Sequence, residues 1–323
     1  MTDGAALIGR ANDAGGMQDA SASRRPVVVL VPDARGLEAF DGVTNVEPLV
    51  WDLSGDPPAG ADRAQVLVTQ VMDPPTVLPR LEALPQLRVI QLFSAGTDAW
   101  AGFAPEGVEI SGADDIHGGT VAEWVVATLL AHLRDLYGYR EKQRAHQWER
   151  RWTGTLAGKH VLVLGAGDIG RNVARRLEPF DAVVTTAART ARADVLDLAS
   201  ARDRLGDYDV VVLALPLTDD TEHLVGADFL AAMKDGAVLV NAGRGPLVDT
   251  DALLAELTAG RLTALLDVTD PEPLPVGHPL WDAPGAVITP HSAAITDDTL
   301  DRCWRAIVRK VGAFAQPPES ATP

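Results

Sequence analysis

The sequence predicts an α/β protein made of two doubly wound parallel-sheet domains. Three observations predict it. Short runs of Val, Ile and Leu alternate with helix-compatible stretches, as in βαβ units whose sheet is covered on both faces. The alternation occurs twice, on either side of a long helical stretch, in a chain of 323 residues, which is enough for two ordinary domains. The second set opens on a strand that runs directly into a glycine-rich turn and a helix start, VLVLGAGDIGRNVARRL at 161–177.

In chain order, residues 1–25 are rich in Gly, Ala, Ser and Asp and lack a continuous apolar core, so they read as a mobile tail and not a signal peptide. Strands are expected at 26–32 (PVVVLVP), near 51 (WDL), at 65–71 (QVLVTQV), 87–93 (LRVIQLF) and 108–113 (VEISGA). PTVLPRLEAL reads as a helix between them. TVAEWVVATLLAHLRDLYGYR (120–140) reads as one long, largely buried helix. REKQRAHQWERRW, with Trp148 and Trp152, reads as a second helix leading into a projecting loop. From Lys159 six parallel strands are expected: HVLVLG, AVVTTA, DVVVLALP (209–216), AVLVNAG (237–243), LTALLDV (262–268) and AVITPH (286–291). TDDTLDRCWRAIVRKVGAFA reads as an amphipathic helix, and 317–323 as a polar tail.

Composition narrows the function. No apolar run approaches the roughly 18 residues of a membrane span. The net charge of −17 argues against nucleic acid or an anionic membrane as partner. A small anionic substrate would need a locally positive site. The single cysteine, Cys303, can form no internal disulfide and fits a reducing cytoplasm. Its helical setting beside Trp304 reads as packing and not as a nucleophile. No metal is expected.

The loop Gly165-Ala166-Gly167-Asp168-Ile169-Gly170 is a candidate dinucleotide site. Gly165 permits the tight turn, Gly167 lets backbone approach a pyrophosphate, and Gly170 lets helix and strand pack closely. The helix N-terminus turns unpaired N–H groups and a partial positive charge toward the phosphates. Glycine-rich turns are common, and the bland reading is a βα turn without a ligand. An NAD site usually carries Asp or Glu at the end of the next strand to hold the ribose hydroxyls. Here Ala188, Arg189 and Thr190 stand there. Nothing acidic repels a 2′-phosphate, the fork of Arg189 suits one, and Thr190 can add a hydroxyl. NADPH is therefore expected over NADH, with NAD still open. An ordinary surface arginine is the alternative.

Ligands of doubly wound sheets bind beyond the carboxyl ends of the strands. Arg244, Glu272 and His291 follow three late strands. Together they suit redox chemistry on a 2-oxo acid. The arginine holds the carboxylate and polarises the carbonyl. The histidine delivers a proton as hydride arrives, and the carboxylate orients the imidazole and stabilises the imidazolium. Singly, each has a bland reading: a turn arginine, a solvated loop acid between two prolines, a histidine on a backbone carbonyl.

FSAGTD (93–98), TVAEW (120–124), LGAGDIGR (164–171), LPLTDDTEHLVG (215–226), VNAGRGPLVDTDAL (240–253), LDVTDPEPLP (266–275), HPLW (278–281) and ITPH (288–291) run in one order across about 26–316. In these stretches the chain resembles the D-isomer-specific 2-hydroxyacid dehydrogenase family. The resemblance implies two Rossmann/flavodoxin-like domains, a substrate-binding domain of residues 26–116 plus 291–316 and a dinucleotide-binding domain of residues 117–290, with the active site in the cleft between them. It implies that Arg244, Glu272 and His291 are the catalytic trio, and that Ser94, Ala95 and Gly96 join Arg244 in holding the substrate. It places Leu215, Pro216, Ala242, Gly243 and Asp267 along the cofactor, Pro216 near the adenosine ribose and Asp267 near the nicotinamide amide. It further implies a homodimer held by about 117–155, with Trp148 reaching a neighbouring subunit's site.

Two departures stand out. Ala188-Arg189-Thr190 replaces the usual acid, as in NADPH-using glyoxylate and hydroxypyruvate reductases. Thr97 stands where valine is common. Phosphoglycerate- or phosphite-type dehydrogenation and a non-catalytic dinucleotide-sensing role remain open. A methyltransferase would want an acid at Ala188, and a formate dehydrogenase would pair the histidine with glutamine. The substrate side-chain pocket is expected on loops such as Val71-Met72-Asp73.

Overall fold

The central strands are buried on both faces, and such strands read as near-continuous apolar runs, whereas the edge strands are only partly buried. The computed structural model describes residues 25–71, 73–100 and 102–316; the expected tails at 1–24 and 317–323, and Met72 of the substrate loop, lie outside them. The first sheet comprises β1 (Val27–Val31), β2 (Val46–Val50), β3 (Ala64–Thr69), β4 (Val89–Leu92) and β5 (Glu109–Ser111), with α1 (Ala34–Ala39) and α2 (Pro74–Val77) between them. All pairs are parallel, in the order β2-β1-β3-β4-β5. Two helices follow, α3 (Gly118–Leu133) and α4 (Leu136–Arg144).

The second sheet comprises β6 (His160–Leu164), β7 (Val183–Ala188), β8 (Val195–Asp197), β9 (Val210–Leu213), β10 (Val238–Asn241), β11 (Thr263–Leu266) and β12 (Ala286–Ile288). Its helices are α5 (Asp168–Leu177), α6 (Leu198–Arg202), α7 (Ala227–Ala232) and α8 (Thr250–Thr258), and α9 (Thr299–Ala315) closes the described chain. The order β12-β11-β10-β9-β6-β7-β8 reverses direction between β6 and β9, which is where doubly wound sheets bind ligands. The fold class is therefore the expected one: two doubly wound parallel sheets.

Each sheet has apolar layers on both faces. In the first, Val29, Val31, Val66 and Val68 pack against Cys303, Trp304, Ile307 and Val311 of α9. Trp304 sits edge-on between Phe40 and Phe93, with centroids 6.4 and 4.9 Å away. Cys303 is 2% exposed and its Sγ lies 3.5 Å from the Phe93 carbonyl oxygen. In the second, Val121, Val125 and Leu129 of α3 cover Val161 and Val163 of β6. Each such large side chain contributes about 1.5–3 kcal/mol by leaving water.

Several boundaries differ from the sequence reading. The stretch at 120–140 is two helices. Asp135 adopts a left-handed backbone (φ 50°), which Asp tolerates, and its carboxylate pairs with Arg151 at 3.1 Å. The strand expected at WDL lies just before it, at VEPLV. Pro48 disguised it, but β2 is an edge strand, where a missing N–H is tolerated. The second sheet has seven strands and not six, because β8 is only three residues long. Pro79 cuts PTVLPRLEAL into α2 and a 3₁₀ segment, Leu78–Ala83. β11 and β12 stop at Leu266 and Ile288, so Asp267 and His291 stand on loops beyond them. No described helix is long and apolar enough to cross a membrane.

Candidate active site

A cavity of about 530 Å³ opens at the switch point and is lined by Gly165, Ala166, Gly167, Arg189, Arg192 and Pro216 among others. Gly165 has φ 120° and its Cα faces the backbone of Ala214 after β9, so a Cβ there would collide with main chain. A Cβ at Gly170 would collide with the Gly165 carbonyl, which brings α5 down onto the turn. A Cβ at Gly167 would meet nothing within 4 Å. Gly167 also caps α5 without a side-chain hydrogen bond. Open space beside the uncapped amides of a ten-residue helix fits a pyrophosphate.

The six loop residues divide. Gly165, Ala166 and Gly167 line the cavity. Asp168 turns its side chain elsewhere: Oδ2 accepts from the Gly118 N–H at 2.8 Å and Oδ1 from Asn172 Nδ2 at 2.8 Å. Its carboxylate thus ties the loop to the start of α3, leaving its backbone for a cofactor. Ile169 packs into the core beside α3, and Gly170 is buried in α5. Arg189 lines the cavity; Thr190, exposed, does not. Leu215 and Pro216 line it from β9, whereas Ala242 and Gly243 lie buried after β10.

Arg192 escaped the sequence reading. It is held by reciprocal 3.0 Å hydrogen bonds with Val195 in the hairpin leading to β8, and its Nη2 donates to the Ala166 carbonyl at 3.3 Å. A second guanidinium therefore stands at the cavity wall with Arg189. The available signal was a basic residue three positions after the first.

Asn241, 1% exposed, ends β10 and shapes the next turn: Nδ2 donates to the Arg244 carbonyl (2.9 Å) and Oδ1 accepts from Gly243 N–H (3.1 Å). Arg244 projects from that turn across to the first sheet's loops. Its Nε donates to Asp98 Oδ2 (3.0 Å), Nη2 to Asp98 Oδ1 (3.1 Å) and Nη1 to the Gly243 carbonyl (2.9 Å). Burial raises the Asp98 carboxyl pKa, but the Arg244 hydrogen bond and charge outweigh it, and His291 adds to them, so it lies below the ordinary carboxylate value. Arg244 and His291 thus surround one carboxylate. Ser94 Oγ donates to the Gly96 carbonyl at 2.8 Å. The amides of Ala95 and Gly96 make no hydrogen bond among the described residues.

Glu272 and His291 meet: Oε1 lies 2.6 Å from Nδ1. Gly245 permits this arrangement, because a Cβ there would collide with the Thr269 carbonyl and push the Arg244 and Glu272 loops apart. His291 itself adopts φ 50°. Asp267 holds that backbone. Its carbonyl accepts the His291 N–H (2.7 Å), Oδ1 accepts from Thr289 Oγ1 (2.6 Å) and Ser292 N–H (2.9 Å), and Oδ2 accepts from Ala293 N–H (2.9 Å). Asp267 is 4% exposed, a buried carboxylate satisfied almost wholly by the histidine's loop.

Residues 126–293 match the family model for the D-isomer specific 2-hydroxyacid dehydrogenase, NAD binding domain. The chain belongs to the D-isomer specific 2-hydroxyacid dehydrogenase family. It is 36% identical over 233 residues to glyoxylate/hydroxypyruvate reductase B of Pectobacterium atrosepticum, covering 68% of this chain and 73% of that one. A D-isomer specific 2-hydroxyacid dehydrogenase family protein from Aeromonas salmonicida superposes with a TM-score of 0.79 at 30% identity, covering 93% of this chain and 99% of that one. An NADPH-dependent glyoxylate/hydroxypyruvate reductase from Sinorhizobium meliloti, solved with NADP and sulfate, superposes with a TM-score of 0.75 at 27% identity, covering 92% and 97%.

Proposed function

We propose that the protein is an NADPH-dependent reductase of short 2-oxo acids, of the glyoxylate/hydroxypyruvate type. The observation that carries this is the His291–Glu272 pair at 2.6 Å on loops that also bring in Arg244. Nδ1–H donates to Glu272, which leaves Nε2 without a hydrogen bond among the described residues and available to the substrate. A nicotinamide held in this cavity would supply the hydride that C2 of the oxo acid receives. Arg244 pairs with the substrate carboxylate and polarises its carbonyl. The Ala95 and Gly96 amides take the rest of the carboxylate. His291 gives its Nε2 proton to the developing alkoxide, and Glu272 orients the ring and balances the imidazolium.

Gly165, Ala166 and Gly167 would hold the pyrophosphate, and Arg189 with Arg192 the 2′-phosphate. The Sinorhizobium meliloti enzyme's NADP complex supports that preference. Residues 26–116 with 291–316 would form the substrate domain and 117–290 the cofactor domain. The protein would act as a cytoplasmic homodimer. Trp148 and Trp152, 97% and 103% exposed, stand with half-exposed Leu136 and Tyr137 on the segment that a second copy would cover. Sedimentation of the wild type against Trp148→Ala/Trp152→Ala tests the dimer.

The functional test is a panel of 2-oxo acids with NADPH and NADH, followed at 340 nm. Glyoxylate and hydroxypyruvate should turn over with NADPH. No oxidation of either cofactor by any short 2-oxo acid would overturn the reading.

A further inference from the structure

Asp98 belongs to the first sheet's loops and Arg244 to the second sheet, yet the two form a two-point ion pair, at 3.0 and 3.1 Å. A guanidinium has five N–H donors in a rigid planar fork. Three are engaged here: Nε and one Nη2 hydrogen by Asp98, and one Nη1 hydrogen by the Gly243 carbonyl. One hydrogen remains on each of Nη1 and Nη2, and the end edge that these two nitrogens share is the edge Asp98 does not occupy. That edge can span one carboxylate oxygen and the adjacent carbonyl oxygen of a 2-oxo acid, leaving the other carboxylate oxygen to the Ala95 and Gly96 amides. Without Asp98 the guanidinium would offer its side edge as readily as its end, and substrate would be held in more than one orientation.

Gly96 supports the same placement. A Cβ at residue 96 would overlap Arg244 Nη2 and crowd Asp98 Oδ1 at 2.7 Å. The obstacle is the mobile tip of a side chain and not main chain, so a larger residue would displace the guanidinium without forcing the fold apart.

We infer that Asp98 is a positioning residue for the reaction: it clamps Arg244 from the opposite sheet so that only the end-on N–H pair meets the substrate carboxylate. The inference rests on the proposed role of Arg244 in carboxylate binding. It makes the arginine's geometry a joint product of both sheets, so the carboxylate site is complete only when the two are docked.

The test compares Asp98→Ala, Asp98→Asn and Gly96→Ala with the wild type in glyoxylate kinetics, NADPH binding by fluorescence, and oxamate binding by calorimetry in the presence of NADP. Loss of a charge-assisted pair of this kind corresponds to about a 10- to 100-fold loss in binding. Asp98→Ala and Gly96→Ala should raise the glyoxylate KM and the oxamate Kd by that factor while NADPH Kd stays within about twofold. Asp98→Asn should fall between, because its amide oxygen still accepts one of the two N–H groups. A glyoxylate KM and oxamate Kd within about twofold of wild type in Asp98→Ala would overturn the inference. So would NADPH affinity falling in step, since that marks a general structural prop. If the wild type fails to reduce glyoxylate, the functional reading falls, and the oxamate arm still decides Asp98: binding that Asp98→Ala loses supports the clamp, and no binding by the wild type overturns it.

Discussion

Asp267→Asn removes one oxygen from a carboxylate that accepts three hydrogen bonds from the loop carrying His291. The amide can keep its oxygen at the Oδ1 position and retain Thr289 and Ser292. Its NH₂ then faces the Ala293 N–H, donor against donor. The reverse placement loses the Ser292 bond instead. Either way at least one charge-assisted bond is lost, at about 1.5–3 kcal/mol. With Asp267 4% exposed, water cannot replace it. His291 holds a φ of 50° only because this loop is pinned, and a relaxed loop draws the imidazole away from the substrate. If the lost energy appears wholly in the barrier, kcat falls about 10- to 100-fold. Glyoxylate KM should change much less, because Arg244 is anchored separately. The assay is steady-state kinetics beside thermal denaturation. A variant with wild-type kcat and an unchanged melting temperature would refute the claim that Asp267 holds the histidine.

His291→Ala should abolish turnover while leaving NADPH binding intact; single-turnover absorbance and fluorescence titration read the two. Arg189→Ala should weaken NADPH binding about 10- to 100-fold and spare NADH, with Arg192→Ala smaller because one of its N–H groups is already spent on Ala166; competition by 2′,5′-ADP measures both, and equal losses with the two cofactors would count against a 2′-phosphate site. Burial lowers the pKa of His117, at the start of α3, and Arg302 lowers it further against the Phe93 carbonyl and Asp168. Its folded pKa thus lies below the unfolded value of about 6.5, so the unfolded chain binds more protons and stability falls as pH drops through that window. Denaturant midpoints at pH 7.5 and 5.5 should differ less in His117→Gln than in wild type. For Asp98 the depressed pKa places loss of the Arg244 pair below the ordinary carboxylate range, so the pair should stay intact from pH 5 to 8.

What could be read from sequence was whatever one local pattern determines. The glycine spacing at 165–170, the apolar runs of β6 and β9–β12, and the positions of Arg244, Glu272 and His291 after late strands all sit in contiguous motifs. The misses are of another kind. Asp98 lay in FSAGTD without an assigned partner, because Arg244 is 146 positions away. Asp168 stands inside the glycine motif, but its side chain answers to Gly118, 50 positions earlier. β8 was too short to show periodicity, and with it went Arg192. β2 was shifted by a proline that only an edge position excuses, and the helix break at Asp135 turns on a single left-handed residue. For Asp98, Asp168 and β2 a contact between distant segments decided the outcome.

The chain has one sulfhydryl, and it sits on the face of α9 that packs against the first sheet. Burial raises the pKa of the Cys303 thiol, so little reactive thiolate is present at neutral pH. A maleimide or disulfide reagent can therefore reach it only when the carboxy-terminal helix lifts from the first sheet. The labelling rate is a native clock for that opening event, readable without introducing any probe.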